Sequence, residues 1–410
     1  MSYLKYLIAS FLVTHSFVVS AGELTPDYYS DTLSLSTVTE QVYQRLPGKQ
    51  AENKFGQLQQ ANDALGNALF AEPATANLDH FNDAIGSGEG LQEWEGSVDM
   101  PLWLPGQQQA QQALSTKILA QLPAYQNQLR LRASGEVREL VWQLKLAEAE
   151  LEQAEQAWEI AKKLEQDVAS RVKAGDLAAN EALLASSNTM EAHSKMIAAE
   201  SRLSQQLKIY QLMTGLQLLP VTVTEVPQQR TDVPAQHPAL QMQDQIIARL
   251  QAEMGIARFE GSVNPSISVG VRRERGDDSE SFNNSLGIGF SMPLDNQRYS
   301  KVAVAESSAA LADAQVIRQE LERQLDKDLL ATQETLSATR KQLELATKQN
   351  QTTNEYYQMQ KRAFDLGEIN LIDLLRSQVL ANESRSRKRE LEVQIEQQKA
   401  LVNQALGIIL

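Results

Sequence analysis

Apolar residues recur at steps of three and four positions through the middle of the chain. This spacing keeps one stripe of a helix against a neighbouring helix, as in a coiled coil. The clearest seam comprises Val137, Leu140, Leu144, Ala147, Leu151, Ala154, Trp158, Ala161, Leu164 and Val168. We predict paired long helices over residues 107–170 and 177–214, and over 299–364 and 370–406. A helix of about 64 residues is on the order of 95 Å long, which favours a rod or a wall of helices over a compact globule.

Local residues indicate where these helices begin and end. Gly175 and Gly367 each follow a long predicted helix, and we expect both to close it in the left-handed conformation. Asn370 can cap the helix that comes next, which makes Asp373 its partner in a capping box. Pro123 lies inside the first long helix and predicts an interruption or a bend there, because proline lacks a backbone N–H.

Two shorter runs alternate with a period of two, which is typical of strands. Residues 266–273 and 284–291 place apolar side chains on one face and small or polar ones on the other. A polar loop joins them, so they predict a hairpin. Its counterpart in the first half is weaker, since 94–100 alternates but 75–81 hardly does. Such hairpins fit a sheet packed on a protein core or a membrane barrel, and alternation alone favours the packed sheet.

The two halves of the chain repeat one another with a constant offset of 192 positions. The landmarks that share this offset are Met100-Pro101-Leu102 with Met292-Pro293-Leu294, Gly175 with Gly367, Gly215 with Gly407, and Pro73 with Pro265. Each half therefore predicts the same order: a helix, two strands, a long helix, a glycine turn and a second long helix. We place the first repeat at 22–216, a linker at 217–237 and the second repeat at 238–410.

Composition excludes several classes of function. The net charge of the 410 residues is −14, so a nucleic-acid partner is not expected. The chain has no cysteine, which excludes disulfides, thiol catalysis and an N-terminal lipid anchor on cysteine. Its four histidines are scattered and form no zinc signature. We therefore predict no enzyme activity, no catalytic residue, no cofactor and no metal site.

The first residues have the features of a secretory signal peptide. Lys5 supplies a positive charge, and Leu7 to Val19 is an apolar run too short to cross a bilayer as a helix. Small residues before position 22 predict a signal peptide at 1–21, with cleavage after Ala21; the alternative is an ordinary N-terminal anchor helix. Export shifts the interpretation of the hairpins towards a membrane barrel. Because four strands cannot close a barrel, several chains must then share one.

With these features, the sequence resembles the TolC-like outer-membrane efflux factors. The resemblance is carried by the duplicated halves and by two turn segments, 171–177 (Arg-Val-Lys-Ala-Gly-Asp-Leu) and 362–375 (Arg-Ala-Phe-Asp-Leu-Gly-Glu-Ile-Asn-Leu-Ile-Asp-Leu-Leu). The segments 212–215 (Leu-Met-Thr-Gly) and 405–407 (Ala-Leu-Gly) are also similar to that family. The second turn looks most like the branch that serves heavy-metal pumps of the RND type.

The resemblance implies a mainly α-helical fold with a membrane β-barrel part. It implies a homotrimer in which each chain gives four strands to a 12-stranded barrel in the lipid of the outer membrane. The helices would continue the barrel as a long periplasmic tunnel. An inner-membrane RND pump and a periplasmic adaptor protein would dock at the helix tips, and the chain would act as a passive export duct, with heavy-metal cations as the expected cargo.

Candidate site residues follow from the resemblance and from the repeat. Glu181 and Asp373 lie six residues after the two turn glycines. In a trimer they would form two acidic rings at the closed end of the tunnel, where they would attract cations and act as a gate. Asp373 also has the capping explanation, whereas Glu181 follows Ala178, which cannot cap. The expected adaptor contacts are Arg171, Gly175, Leu177, Arg362, Gly367 and Ile369.

Two alternatives stay open at the level of the sequence. The channel could serve drug efflux or type I secretion instead of metal export. A soluble periplasmic coiled-coil scaffold or adaptor would explain the long helices without any lipid-facing strand, so membrane fractionation separates it from the channel.

Overall fold

A computed structural model describes residues 28–294 and 298–410. The signal peptide expected at 1–21 lies outside the described residues. The helices are α1 (Leu35–Arg45), α2 (Asn53–Gly66), α3 (Gln107–Ala174), α4 (Ala179–Thr214), α5 (Pro238–Ala257), α6 (Ser300–Asp365) and α7 (Leu371–Ala405), and a 3-10 helix covers Pro47–Glu52. The strands are β1 (Tyr29–Ser30), β2 (Thr75–Asn82), β3 (Gln92–Pro101), β4 (Leu219–Pro220), β5 (Ser266–Arg275) and β6 (Asn283–Ser291).

The duplicated order of elements is confirmed from the strands onwards; before the strands the first half has α1, the 3-10 helix and α2, where the second half has α5 alone. Helix α4 begins at Ala179 and α7 at Leu371, which are 192 positions apart, and the ends of α3 and α6 differ from this offset by one residue. Gly215 and Gly407, which end the second long helix of each half, both have positive φ, at 72° and 77°. The proposed linker boundaries at 217–237 stay a prediction. Part of that segment, β4, pairs in parallel with β1 near the start of the described chain.

Strands from both halves form one antiparallel sheet in the order β2-β3-β5-β6. The two halves join where β3 pairs with β5 over ten residues, from Gln92 opposite Arg275 to Pro101 opposite Ser266. Strand β2 pairs with β3 over all eight of its residues, although its sequence hardly alternates. The outer edges of β2 and β6 carry no strand among the described residues.

The long helices form two antiparallel pairs that lie side by side. Helix α3 packs on α4, α6 packs on α7, and α3 also contacts α7, so this last contact joins the pairs. Leucine, valine and alanine side chains of the predicted seam are buried along α3, among them Val137, Leu144 and Val168. No helix in the described ranges is long and apolar enough to cross a membrane.

One prediction for α3 is wrong in part. The helix continues through Pro123 without a break, from Gln107 to Ala174. Proline removes one hydrogen bond from the helix, yet α3 is held on both sides of it: Ser115 donates to the carbonyl of Gln59 in α2 at 3.2 Å, and Tyr125 donates to the carbonyl of Gly48 at 2.9 Å. Tertiary contacts thus outweigh a cost of about 3 kcal/mol for an interior proline.

A buried arginine ties the linker to both halves. Arg138 of α3 is 2% exposed, and its Nε and Nη2 donate to the two carboxylate oxygens of Glu225 at 2.8 and 2.7 Å. Its Nη1 donates to the carbonyl oxygen of Ile408 at 3.0 Å and also to the side chain of Gln404 on α7. Asn403 donates a further hydrogen bond to Glu225 at 3.0 Å. Removing one partner of such a buried pair typically costs about 3–5 kcal/mol.

Candidate functional site at the helix tips

Both helix pairs turn at a glycine in the left-handed conformation, as predicted. Gly175 has a φ of 84° and Gly367 a φ of 75°. At the first turn the N–H of Asp176 donates to the carbonyl of Arg171 at 2.9 Å, and at the second turn Glu368 donates to Ala363 at 2.8 Å. This pattern satisfies carbonyls that the ends of α3 and α6 would otherwise leave free. The two tips are therefore compact and geometrically alike.

The helices that leave the turns are capped differently. The side chain of Asn370 accepts a hydrogen bond from the N–H of Asp373 at 2.9 Å, so Asn370 is the N-cap of α7, as predicted. At the matching position of the first half, Ala178 provides no side-chain cap. The backbone N–H of Glu181 instead reaches the carbonyl of Ala178 at 3.0 Å. Capping thus explains the position of Asp373 but not that of Glu181.

Apolar side chains from both turns form one cluster, which we call the tip cluster. Its buried members are Val168, Ala185, Tyr357, Phe364, Leu371, Leu374 and Ala381. Leu177 and Ile369, two of the expected adaptor contacts, are partly buried against this cluster. Their packing gives both side chains a role inside the protomer, and contact with an adaptor stays a prediction for them.

Arg171 links the two tips. Its Nη1 donates to the carbonyl oxygen of Phe364 at 3.2 Å, and its guanidinium lies 4.8 Å from the centre of the Phe364 ring. Arg362, expected to have the same role as Arg171, is exposed, and its Nε reaches the carbonyl of Gln358 in its own helix at 3.3 Å. The two arginines therefore differ: Arg171 holds the halves together, and Arg362 points outwards at the tip surface.

Glu181 and Asp373 are both partly buried near the beginning of their helices. One carboxylate oxygen of Glu181, Oε2, is buried and has no hydrogen-bond partner among the residues that the structure describes. Because an unpartnered buried oxygen is costly, this position favours a cation or a donor from outside the protomer. Glu181 was predicted from its position in the repeat, where Ala178 offers no capping explanation for it, and the structure adds the unsatisfied oxygen.

The two faces of the sheet differ in charge, which sequence reasoning did not detect. On one face the acidic side chains are Asp79, Glu93, Glu95, Asp99 and Glu274, and Arg272 pairs with Glu93 and Glu274 at 2.6 and 2.7 Å. The other face carries the predicted apolar residues, of which Leu78, Val271, Leu286 and Ile288 are each more than 60% exposed. Cross-strand registry places these apolar side chains in adjacent rows. The sequence could have predicted this difference in charge, because acidic and apolar residues alternate in 92–101 and 266–275.

The described residues contain no cluster of side chains that could bind a metal ion. No three histidine, cysteine, aspartate or glutamate side chains come together there in a way that could hold a metal ion. The acidic side chains at the tips and on the sheet are spread along the elements. These positions can create a negative electrostatic field, which acts on a passing cation without binding it tightly.

Comparison with known proteins identifies the fold. No protein-family model matches the chain, and no curated protein matches its sequence. Among solved structures, CusC has a TM-score of 0.71 and 14% identity, with 95% of each chain covered. The outer membrane protein VceC of Vibrio cholerae has a TM-score of 0.70 and 12% identity over 91% of this chain and 96% of VceC. The CmeC outer membrane channel of Campylobacter jejuni has a TM-score of 0.66 and 14% identity over 99% of this chain and 94% of CmeC.

These neighbours are TolC-like outer-membrane channels, not enzymes. The fold class predicted from the sequence is therefore confirmed: duplicated halves, each with a β-hairpin and a long helical hairpin, in the manner of these channels. An identity of 12–14% shows the fold and leaves the activity, the cargo and the partners to be inferred from the chain itself.

Proposed function

We propose that this protein is one subunit of a trimeric outer-membrane channel, the passive export duct of a tripartite efflux system. The observation that carries the proposal is the four-stranded sheet, which has an exposed apolar face and two open edges among the described residues. Its strands are eight to ten residues long, close to the 9–11 residues that a tilted strand needs to cross a bilayer.

Closure of the barrel requires more than one copy. An open sheet edge is not tolerated in hydrocarbon, because its N–H and C=O groups would find no partner there. Three copies supply twelve strands, and β2 of one copy would then pair with β6 of the next. The lipid would meet the apolar face, and the acidic face would line the water-filled interior.

The outer helices support the same assembly. Apolar side chains lie exposed on both, at Leu183, Met190, Ile197 and Leu212 of α4 and at Val316, Ile317, Leu330, Leu345 and Met359 of α6. Within one protomer these helices sit at opposite ends of the row α4-α3-α7-α6. Packing of α4 on α6 of the neighbouring copy would cover both sets and close a helical tunnel. A soluble scaffold would explain the helices but not the exposed apolar sheet face.

The tips are the proposed docking place for the periplasmic adaptor protein and the inner-membrane RND pump. Arg362 is the candidate best placed for such a contact because it is exposed. Energy for export would come from the pump, and this chain would act as a duct. The heavy-metal cargo expected from the second turn stays a prediction, beside drug efflux and type I secretion.

Cysteine crosslinking tests the shared barrel directly, since the chain has no natural cysteine. Leu78→Cys on β2 would be combined in turn with Leu286→Cys, Ile288→Cys or Phe290→Cys on β6, and membranes would be oxidised. We expect one of these pairs to produce a covalent trimer. The matched control combines Val98→Cys with Val269→Cys, which face each other inside one protomer and should give no covalent oligomer. Monomer alone from all three edge pairs would refute the shared barrel.

We also propose that Glu181 and Asp373 line the tunnel end. Three copies of each would place like charges near one axis, where bound cations relieve their repulsion. Single-channel recordings of Glu181→Gln should show a weaker preference for cations and weaker block by multivalent cations. An unchanged preference would remove Glu181 from the pore and leave Asp373 with its capping environment alone.

A further inference from the structure

The apolar face of the sheet carries positive charge at the end far from the helices. Residues that share this face alternate along each strand, and among those of β5 the last two are Arg273 and Arg275. Every acidic residue of β2, β3, β5 and β6 belongs to the opposite face, and the nearest carboxylates beyond Arg275 are those of Asp277, Asp278 and Glu280 in the loop that follows. Two arginines thus end a face that otherwise holds apolar and neutral side chains.

Both guanidinium groups lie against one aromatic ring. The guanidinium of Arg273 is 4.3 Å from the centre of the Phe282 ring, and that of Arg275 is 5.1 Å from it. Arg275 donates through Nη2 to Asp278 at 2.7 Å, but its Nε is buried and has no acceptor among the described residues. Among the described residues at this end of the sheet, the ion pairs are made by Arg272 and Arg275 and not by Arg273. Arg273 is therefore the cation at this end that lacks a carboxylate partner within the described ranges, and the second guanidinium on the same ring adds to its attraction for an anion.

A groove on the same face leads away from the arginines. Its sides include Leu78, Trp94, Val271 and Leu286, and Arg273 lies at its rim. Gly96 stands between Leu78 and Val271 in the cross-strand row, and the missing side chain creates the hollow. The groove is apolar along its length and cationic at one end. It is therefore complementary to a lipid, whose acyl chain is apolar and whose headgroup is anionic.

We propose that Arg273, with the charge of Arg275 beside it, binds the phosphate group of an anionic lipid whose acyl chain lies in the groove over Gly96. This inference rests on the proposed function, which places this face in lipid. Charge complementarity selects the occupant, because an anionic headgroup meets the guanidinium groups while its acyl chain covers the apolar side chains that lead away from them. In the assembled channel the site would be present in each protomer, at the membrane level furthest from the helical tunnel.

Native mass spectrometry of the full-length detergent-extracted protein tests the site. Dimyristoyl phosphatidic acid and dimyristoyl phosphatidylcholine would be added in equal amounts, and the lipids retained by the protein counted. We expect preferential retention of phosphatidic acid, a preference that Arg273→Gln lowers by roughly fivefold and Arg273→Lys largely keeps. Added salt should weaken the preference as well.

The matched control is Arg272→Gln, which removes the same charge one residue away on the acidic face, where Arg272 already pairs with Glu93. This variant should keep the wild-type preference. Equal retention of both lipids by the wild type, or equal effects of both glutamine variants, would overturn the site but leave the channel standing. Retention of neither lipid would also overturn the lipid site, whereas the crosslinking of β2 to β6 decides the membrane placement separately. Displacement by glycerol 3-phosphate at the same concentration would show that free phosphate suffices and would overturn the lipid assignment.

Discussion

Replacing Arg171 by glutamine should loosen the contact between the two helix tips. The change removes a cation from the face of the Phe364 ring and a charged donor from the Phe364 carbonyl. Phe364 itself is 1% exposed, so its ring stays packed in the tip cluster while the link from the first half is lost. The expected effect is therefore local opening of the tip, with the sheet and the buried contacts of Arg138 unchanged.

The size of the effect follows from the two contacts. A hydrogen bond to a charged donor contributes about 1.5–3 kcal/mol when desolvated, and an exposed cation–π contact about 0.5–1 kcal/mol. Arg171 is only partly buried, so solvent screening reduces both contributions. We expect a loss of about 1–2 kcal/mol in the free energy of local opening, which accelerates opening-limited amide exchange roughly 5- to 30-fold.

Hydrogen–deuterium exchange with mass spectrometry measures this opening. The informative amides are those of Asp176 and Glu368, which close the two glycine turns. Arg362→Gln is the matched control, because it also removes a cation near a helix C-terminus but makes its side-chain contact within its own helix. Faster exchange of both turns in Arg171→Gln alone is the predicted result. Unchanged exchange in that variant, or equal acceleration in both, would refute the bridging role of Arg171.

Three further predictions concern the turns and the caps. Gly175→Val and Gly367→Val should each strain the turn by roughly 1–3 kcal/mol. The strain comes from the positive φ alone, because an added Cβ meets nothing within 4 Å at either position. Cells that carry these variants should lose efflux in resistance assays, while the protein still assembles in the membrane. Asn370→Ala should lower thermal stability by about 1 kcal/mol, whereas Glu181→Gln should hardly change it. His237, which is 2% exposed, caps α5 through an Nδ1 that accepts a hydrogen bond from the N–H of Ala239 at 3.2 Å. Burial lowers the pKa of His237, so stability should be full above about pH 6.5 and fall below it, with a smaller fall in His237→Asn.

The helical part of the fold was predictable because it depends on local rules that the chain applies twice. The seam along α3 fixes which side of the helix is buried, and the offset of 192 transfers the boundaries of the long helices from one half to the other to within one residue. Gly175 and Gly367 could be assigned a left-handed conformation from their positions in the sequence, since a helix that reverses tightly needs a residue without a Cβ penalty. The hairpin of 266–291 was equally clear from its period.

The contacts between the halves could not be predicted in the same way. Arg171 and Phe364 are separated by 193 positions, and nothing in a heptad-like pattern says which two helix pairs lie side by side. Arg138 looks like an ordinary charged residue of a long helix, but its partners come from the linker and from α7. Strand β2 forms because β3 offers it a partner, which its own sequence does not reveal. The prediction of an interruption at Pro123 failed for the same reason, because tertiary packing keeps α3 helical through that residue.

The contacts that join the two halves differ in strength from one end of the protomer to the other. At the sheet, β3 and β5 share a ladder of ten residues, and separation would expose a row of backbone groups. In the middle, Arg138 is buried and paired, so breaking its contacts costs about 3–5 kcal/mol. At the tips the polar link is the partly buried Arg171, worth about 1–2 kcal/mol after screening. Of the polar contacts compared, the one at the tips is therefore the weakest, and the buried tip cluster carries most of the contact between the halves there.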